Sequence, residues 1–176
     1  MLYKSLVRSH LEYANSVWYP KRSTDLDKLE RVQKRATKLI PELSNKPYKD
    51  RLMALNLLTL IYRRYRGDMI ELFKIVKRIY DHACIPHFDF VELSQDLIRT
   101  RGNKYKLVQH HYHYDLRKFN FTNRVVPIWN SLSNHAVSAY TVNTFKHRLD
   151  KFWLNQEVIY NYKADFVGTG NRSIID

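Results

Sequence analysis

Apolar residues recur at steps of three and four through the first 80 positions, which is the period of an amphipathic α-helix. Proline and capping residues divide this stretch into four predicted helices. The first ends before Pro20, the second opens at Thr24 in a capping box with Asp27 and stops at Pro41, the third has Pro47 in its first turn, and the fourth runs from a cap at Thr59 to about Tyr80. The N-terminal half is therefore predicted to be a helical bundle.

The second half mixes two periods. Turn residues precede an aromatic, β-prone run at 103–116, which predicts one hairpin or two short strands. Residues 121–132 (FTNRVVPIWNSL) predict a helix that is disturbed at Pro127. Thr141 is placed to cap a final helix, whose apolar stripe comprises Val142, Phe145, Leu149, Phe152 and Trp153. The predicted fold class is mainly α, with an N-terminal bundle followed by a smaller helical region that carries a short β-hairpin.

Charge divides the chain into alternating segments. The formal charge is +5 for 1–40, +5 for 41–80, −3 for 81–100, +7 for 101–154 and −1 for 155–176. The acidic segment has mixed composition and contains Pro86, which is typical of an irregular connection. After Leu154 the helical periodicity fades. We therefore predict a basic helical region at 1–80, an acidic irregular connection at 81–100, a C-terminal α region at 101–154 and a tail at 155–176.

The whole chain is strongly basic, with a net charge of +13 over 176 residues. A field of that sign attracts polyanions and makes nucleic acid the leading partner class. No run approaches 18 apolar residues, and the N-terminus lacks the apolar segment of a signal peptide, so neither a membrane partner nor secretion is expected. The lone Cys84 suits a reducing compartment. The expected location is intracellular, nuclear or cytoplasmic.

The second predicted helix separates apolar from cationic residues. At about 100° per residue, its apolar side chains share one arc of roughly 100°, and its cations share another of about 120° that is largely opposed to it. The apolar arc comprises Leu29, Val32, Ala36, Leu39 and Ile40. The cationic arc comprises Lys28, Arg31, Lys34, Arg35 and Lys38. We expect the apolar arc to dock this helix and the cationic arc to remain available for phosphate groups.

The fourth predicted helix repeats this arrangement. Its apolar face runs from Ile61 to Tyr80, and Gly67 in mid-helix costs roughly 1 kcal/mol relative to Ala, which predicts a close approach of another group there. Arg63, Arg66, Lys74 and Lys77 share another face, with Arg64 and Arg78 beside it. Similar polarity on two long helices favours phosphate contact over a merely solvated surface. Aromatic residues near the cations that could stack on bases are Tyr62, Tyr65, Tyr105, Tyr112 and Tyr114.

Catalytic patterns are sparse. Two-metal polymerases and nucleases need clustered carboxylates, but this chain has no adjacent Asp-Asp pair, and helix capping explains Asp25 and Asp27. Phosphate-binding loops and the serine-hydrolase elbow are also missing from the sequence. The sequence therefore predicts no catalytic residue and no cofactor.

Histidines and the cysteine leave two alternatives open. Imidazoles of His110, His111 and His113 could bind a metal on a strand, but a zinc site needs about four ligands, and surface or core histidines are favoured. Cys84 could act as a nucleophile with His82 or His87, although sequence spacing says nothing about their geometry. Neither pattern by itself predicts a site: the histidines do not establish a metal site, and Cys84 does not establish a nucleophile.

Five stretches together resemble the C-terminal part of the polyprotein of jockey-like non-LTR retrotransposons, after the reverse-transcriptase palm. They are LVRSHLEYANSVWYP (6–20), LDKLERVQKRATKLIP (26–41), YRRYRGDMIELFKI (62–75), FTNRVVPIWNSL (121–132) and TVNTFKHRLDKFW (141–153). Their order and spacing match as well as their letters, over about residues 1–154. The chain departs from the family in LNL at 55–57, where Leu-Gly-Leu is common, and in Ser133, where a proline is common.

This resemblance implies a thumb-like helical region and C-terminal extension that grip template RNA and the RNA/DNA hybrid during target-primed reverse transcription. It supplies no catalyst, because the magnesium-binding aspartates of the parent RNA-directed DNA polymerase and its endonuclease lie upstream of the matching segment. The chain thus resembles a truncated copy or a fragment of a gene.

Two functions are compatible with these sequence features. The first is a non-catalytic module that binds RNA, RNA/DNA hybrid or DNA backbone without reading sequence. The alternative is a protein-interaction or self-association module, in which apolar faces of residues 1–80 bind the missing palm or another chain. An independent metal nuclease is disfavoured because the sequence shows no cluster of carboxylates of the kind that binds two metal ions. The predicted phosphate contacts are Lys28, Arg31, Lys34, Arg35, Lys38, Arg63, Arg66, Lys74 and Lys77.

Overall fold

The computed structural model of the chain describes residues 2–18, 20, 22–81, 83, 85–91, 103–111, 114, 117 and 119–167. Within these residues the protein is mainly helical, as the sequence predicts. The described residues contain seven α-helices: α1 (Arg8–Glu12), α2 (Ser23–Lys38), α3 (Tyr48–Ala54), α4 (Leu60–Val76), α5 (Phe121–Asn130), α6 (Asn134–Val137) and α7 (Val142–Phe152). A π-helical turn at Tyr3–Val7 precedes α1, and 3₁₀ turns occupy Pro41–Leu43 and Glu157–Ile159. None of the helices in these residues is long and apolar enough to span a bilayer.

Two predicted caps are present. The Thr59 hydroxyl accepts a hydrogen bond from the Tyr62 backbone N–H at 3.3 Å, and the Thr141 hydroxyl accepts one from Thr144 at 3.1 Å. These bonds satisfy donors that a helix leaves unpaired in its first turn. The predicted capping box at Thr24 is wrong, because α2 begins at Ser23 and has no side-chain cap.

Helix α5 passes through Pro127 without ending there. The Asn120 side chain caps its start by accepting a hydrogen bond from the Phe121 N–H at 2.7 Å. Proline at the seventh position removes one backbone donor, and five apolar residues of α5 on both sides of it are buried. The sequence correctly predicts this helix, and the structure shows that the proline does not divide it.

The predicted hairpin is absent from residues 103–111. Within this segment, Leu107 instead forms an isolated antiparallel bridge with Phe90. Backbone hydrogen bonds of 2.9 Å from Val91 to Lys106 and 2.8 Å from Val108 to Asp89 flank the bridge. Residues 112, 113, 115 and 116, which belong to the same prediction, lie outside the described residues.

The described residues group into two compact units. The first contains residues from 1–66 and 156–166, and the second contains residues from 67–155 together with Val167. The change of unit therefore falls inside α4, whereas the sequence suggests a connection at 81–100. Eleven residues of that connection, 82, 84 and 92–100, lie outside the described part.

In the first unit, a buried core lies beneath α2, α3 and the start of α4. Residues 156–166, where the sequence predicts a tail, pack in this unit: the Thr59 N–H donates to the Ile159 carbonyl at 3.0 Å, and the Thr59 hydroxyl donates to the Val158 carbonyl. The core side chains are Leu43, Leu52, Leu57, Leu60, Tyr62, Val158 and Ile159.

In the second unit, aromatic packing joins α4, α5 and α7. The rings of Phe73 and Phe145 stack with centroids 4.3 Å apart, and Trp129 lies 6.1 Å from Phe145. Asn130 fastens the 103–107 segment by accepting from the Leu107 N–H at 2.9 Å and donating to its carbonyl at 2.8 Å. The predicted stripe of the final helix is confirmed at Phe145, Leu149 and Trp153, which are all buried.

Gly67 does not mark a close contact. Apart from its chain neighbours and the backbone of its own helix, a Cβ atom added at this position would have no heavy atom of the described residues within 4 Å. The expectation that glycine permits close packing there is therefore wrong.

Candidate nucleic-acid interface

Three cations form an exposed row on α2. Arg31, Arg35 and Lys38 are exposed, and none of their side chains has a hydrogen-bond or ion-pair partner among the described residues. Their spacing of four and three residues places them on one side of the helix, along about 10 Å of its axis. We call these three residues the α2 cation row.

The orientation of α2 differs from the prediction. Val32 is 38% exposed and Leu39 is 82% exposed, so the apolar arc is not the face that docks the helix. Leu29, Ala36 and Ile40 are only half-buried. The buried residues are Glu30, Gln33 and Thr37, and their face lies roughly 100° from the apolar arc. The helix thus docks through polar side chains, while the predicted cationic face still points largely to solvent.

Hydrogen bonds explain how a polar face can be buried. The Glu30 carboxylate accepts from the Tyr48 hydroxyl at 2.5 Å and from the Leu60 N–H, at the start of α4, at 3.0 Å. The Gln33 amide donates to the Leu58 carbonyl at 3.0 Å and accepts from the Tyr3 hydroxyl at 2.8 Å. Buried polar groups are stable only when paired in this way.

Burial dominates the proton equilibria of this buried polar face. It raises the pKa of Glu30 above its ordinary value, although hydrogen bonds from Tyr48 and Leu60 act in the opposite direction. Burial and the nearby Glu30 charge also raise the pKa values of the Tyr48 and Tyr3 hydroxyls, so both remain donors. The network therefore fixes the rotation of α2 about its axis, which determines the side from which the cation row projects.

Two other predicted cations of α2 have partners. Lys28 is exposed and forms a 2.9 Å ion pair with Asp25. Lys34 is half-buried: its ammonium group donates to the Tyr162 hydroxyl at 2.7 Å and lies 4.0 Å from the centre of that ring. Arg51, which is buried in α3, donates to the Lys34 carbonyl at 3.3 Å. Lys34 is thus part of the packing, whereas Lys28 lies beside the cation row as a paired charge.

The cations predicted on α4 do not form a second exposed row. Arg63 makes a two-pronged ion pair with Glu12, in which the Nη2–Oε2 distance is 2.8 Å. Lys74 pairs with Glu71 at 2.8 Å and also donates to the Tyr80 hydroxyl at 2.9 Å. Arg66 is half-buried. Internal carboxylates therefore compensate much of the charge on this helix.

Lys77, near the end of α4, is held by aromatic rings. Its ammonium group lies 4.5 Å from the ring centre of Tyr105 and donates to the Tyr105 hydroxyl at 3.3 Å. Of the other aromatic residues suggested for base stacking, Tyr62 is buried, Tyr65 packs 5.1 Å from Phe166, and Tyr114 is exposed. Tyr112 lies outside the described residues. Tyr62 therefore serves the core.

The candidate catalytic residues have ordinary surroundings. Asp25 pairs with Lys28, and Asp27 is half-buried on α2. Asp89 lies between two imidazoles, with its carboxylate oxygens 3.0 Å from His87 Nε2 and 3.1 Å from His110 Nε2. These hydrogen bonds, first that of His110, hold the pKa of Asp89 below its ordinary value.

The histidine and cysteine alternatives receive no further support from the geometry. Within the described part of the chain, no group of three His, Cys, Asp or Glu side chains is arranged to hold a metal ion. His82, Cys84 and His113 lie outside that part. The structure thus leaves the α2 cation row as the strongest candidate site.

The sequence did not single out Arg78 as a site residue, although it lies next to Lys77. Its backbone has a φ of 53°, in the left-handed region, and its side chain is exposed. Nothing in the local sequence indicates this conformation, because glycine or asparagine is the usual signal for it.

No protein-family model, no curated protein and no solved structure matches this chain.

Proposed function

We propose that this chain is a non-catalytic nucleic-acid-binding region, derived from the thumb and C-terminal extension of a retrotransposon reverse transcriptase, that grips the backbone of RNA, an RNA/DNA hybrid or DNA. The observation that carries the proposal is the α2 cation row, in which Arg31, Arg35 and Lys38 project to solvent without internal partners among the described residues. The resemblance of residues 1–154 to that family supports the choice of nucleic acid over other polyanions.

Phosphate binding is the chemistry that suits this row. Guanidinium groups donate in a planar fork that matches phosphate oxygens, and lysine adds a mobile point charge. A regularly spaced row on a rigid helix can contact successive phosphates of one strand without reaching base edges. Binding should therefore be independent of sequence and strongly dependent on salt.

Binding to labelled 20-base-pair DNA and RNA/DNA hybrid duplexes, measured over a range of salt concentrations, tests the proposal. Each neutralised phosphate of a duplex contributes about −0.9 to the slope of log affinity against log salt. Replacing Arg31, Arg35 and Lys38 together with glutamine should make the slope shallower by about 2.7, because the three contacts are removed while helix propensity is kept.

The matched control removes the same charge at other exposed positions. Lys46, Lys49 and Lys151 are exposed, and replacing them with glutamine also lowers the net charge by three. If both triple variants weaken binding equally, the effect is one of net charge and the α2 site is rejected. A wild-type slope near zero would contradict nucleic-acid binding itself.

A second candidate function is self-association or docking of another protein chain. The observation that favours it is the exposure of large apolar side chains in the N-terminal segment, where Leu2, Leu6 and Val17 are 75%, 61% and 83% exposed. Exposed apolar groups of this kind promote association. Sedimentation at low and high salt distinguishes the two functions, since a salt-insensitive dimer that does not bind nucleic acid would favour the second.

A further inference from the structure

Arg78 occupies a backbone conformation that normally belongs to glycine. It follows α4 with a φ of 53°. The Arg78 N–H donates to the Ile75 carbonyl and the Ile79 N–H donates to the Lys74 carbonyl, both at 2.9 Å, which closes the end of the helix. A side chain in the left-handed region is strained, and glycine would avoid that strain. Backbone geometry therefore gives no reason for arginine at this position.

The side chains around Arg78 provide a different reason. Arg78 is exposed and has no side-chain partner among the described residues. Its neighbour Lys77 contacts the Tyr105 ring and hydroxyl. Tyr105 is itself flanked in the chain by Lys104 and Lys106, and the Lys104 side chain is exposed. Contact between Lys77 and Tyr105 thus brings the cationic end of α4 to a second cationic segment.

Hydrogen bonds hold this second segment firmly. The Trp129 indole N–H donates to the Tyr105 carbonyl at 2.8 Å, and the Lys104 N–H donates to the Asn134 side chain at 2.7 Å. Of the two acidic residues that flank Arg78 in the sequence, Glu71 pairs with Lys74, and Asp81 accepts a hydrogen bond from the Ala83 N–H at 3.2 Å. The cations are consequently displayed on a rigid frame.

We propose that Lys77, Arg78 and Lys104 form a second phosphate-binding surface, arranged around Tyr105 in the second unit, that binds nucleic-acid backbone. This inference rests on the proposed function, which it extends to a different part of the chain. On this proposal, the phosphate contact made by Arg78 offsets the backbone strain that glycine would avoid at this position. The rival explanation is that Arg78 only complements the partial negative charge at the end of α4.

The substitution Arg78→Gly separates these explanations, because it relieves the backbone strain and removes the charge. With the same 20-base-pair RNA/DNA hybrid probe, we expect weaker binding and a salt slope shallower by about 0.9, while the midpoint of thermal unfolding is unchanged or higher. Arg78→Lys, which keeps the charge, should retain binding. Lys104→Gln, which leaves the Arg78 backbone untouched, should make the salt slope shallower by a similar amount.

Asn56→Gly is the matched control. Asn56 is exposed and has a φ of 47°, so glycine relieves the same kind of strain there without removing a charge. It should leave the affinity and the salt slope unchanged. If Arg78→Gly and Lys104→Gln both keep the salt slope of the wild-type protein, the second surface is overturned. The α2 site still stands in that case if the α2 triple variant loses binding. Absence of salt-dependent binding by the wild-type protein would overturn both.

Discussion

The Tyr48 hydroxyl donates a 2.5 Å hydrogen bond to the Glu30 carboxylate, joining α3 to the buried face of α2. The other carboxylate oxygen accepts from the Leu60 N–H, at the start of α4. One acidic side chain thus connects three helices of the first unit. Because Glu30 is buried at the centre of this arrangement, it determines which face of α2 remains in solvent.

Glu30 should make the stability of the protein depend on pH. Burial raises the pKa of Glu30 in the folded state, so the folded protein holds this proton more tightly than the unfolded chain. The contribution of Glu30 to stability is therefore complete below its unfolded pKa of about 4.3 and is lost as pH rises through the higher folded value. Relative to wild type, Glu30→Gln should become progressively more stable as pH increases.

Urea denaturation of wild type and Glu30→Gln between pH 4 and pH 8 checks this difference. Glu42→Gln, at an exposed position, controls for the loss of one negative charge. A stability difference for Glu30→Gln that is constant with pH, or that changes in the opposite direction, would show that burial does not control this carboxyl group.

The docking face of α2 can be tested by comparing a polar with an apolar substitution. Gln33 is fully buried, and truncating it removes the partners of the Leu58 carbonyl and the Tyr3 hydroxyl, so Gln33→Ala should cost about 1–3 kcal/mol. Leu39 is largely exposed, and Leu39→Ala should change stability by no more than about 0.5 kcal/mol. Chemical denaturation measures both values. The reverse order would mean that α2 docks through its apolar arc.

The second unit contains a buried ion pair whose loss should be costly. Arg124 binds Asp68 through two hydrogen bonds of 3.0 and 3.1 Å, with side chains 10% and 3% exposed. Asp68→Asn leaves the buried guanidinium without its counter-charge and should destabilise the protein by about 3–5 kcal/mol. Asp25→Asn, which removes the exposed partner of Lys28, should cost no more than about 1 kcal/mol in the same denaturation assay. Equal effects would contradict the difference in burial.

Gly67 offers a stabilising substitution. An added methyl group meets open space, and alanine has a higher helix propensity than glycine. Gly67→Ala should therefore increase stability by about 0.5–1 kcal/mol, measured as a higher unfolding midpoint in urea. A lower midpoint would indicate that position 67 needs glycine for a reason other than space.

Sequence reasoning recovered the helices where local chemistry determines them. Thr59 and Thr141 cap the helices that they were expected to cap, because capping depends on a hydroxyl group three residues from a free N–H. The rotation of α2 could not be recovered in this way. Periodicity favours its apolar arc, whereas the partners that make Glu30 and Gln33 suitable for burial lie in segments distant along the chain.

For the candidate site, too, the sequence predicts the positions of the cations but not their partners. Sequence placed nine cations on helical faces, but it could not tell which of them have partners: Arg63 meets Glu12, and Lys34 meets Tyr162, across many intervening residues. It also gave no sign that Arg78 adopts a left-handed backbone.

The sequence by itself determined a basic, mainly helical protein, because composition and periodicity are properties of neighbouring residues. Only the tertiary structure decided that Arg31, Arg35 and Lys38 stay exposed, since partners for a charge come from wherever the folded chain brings them.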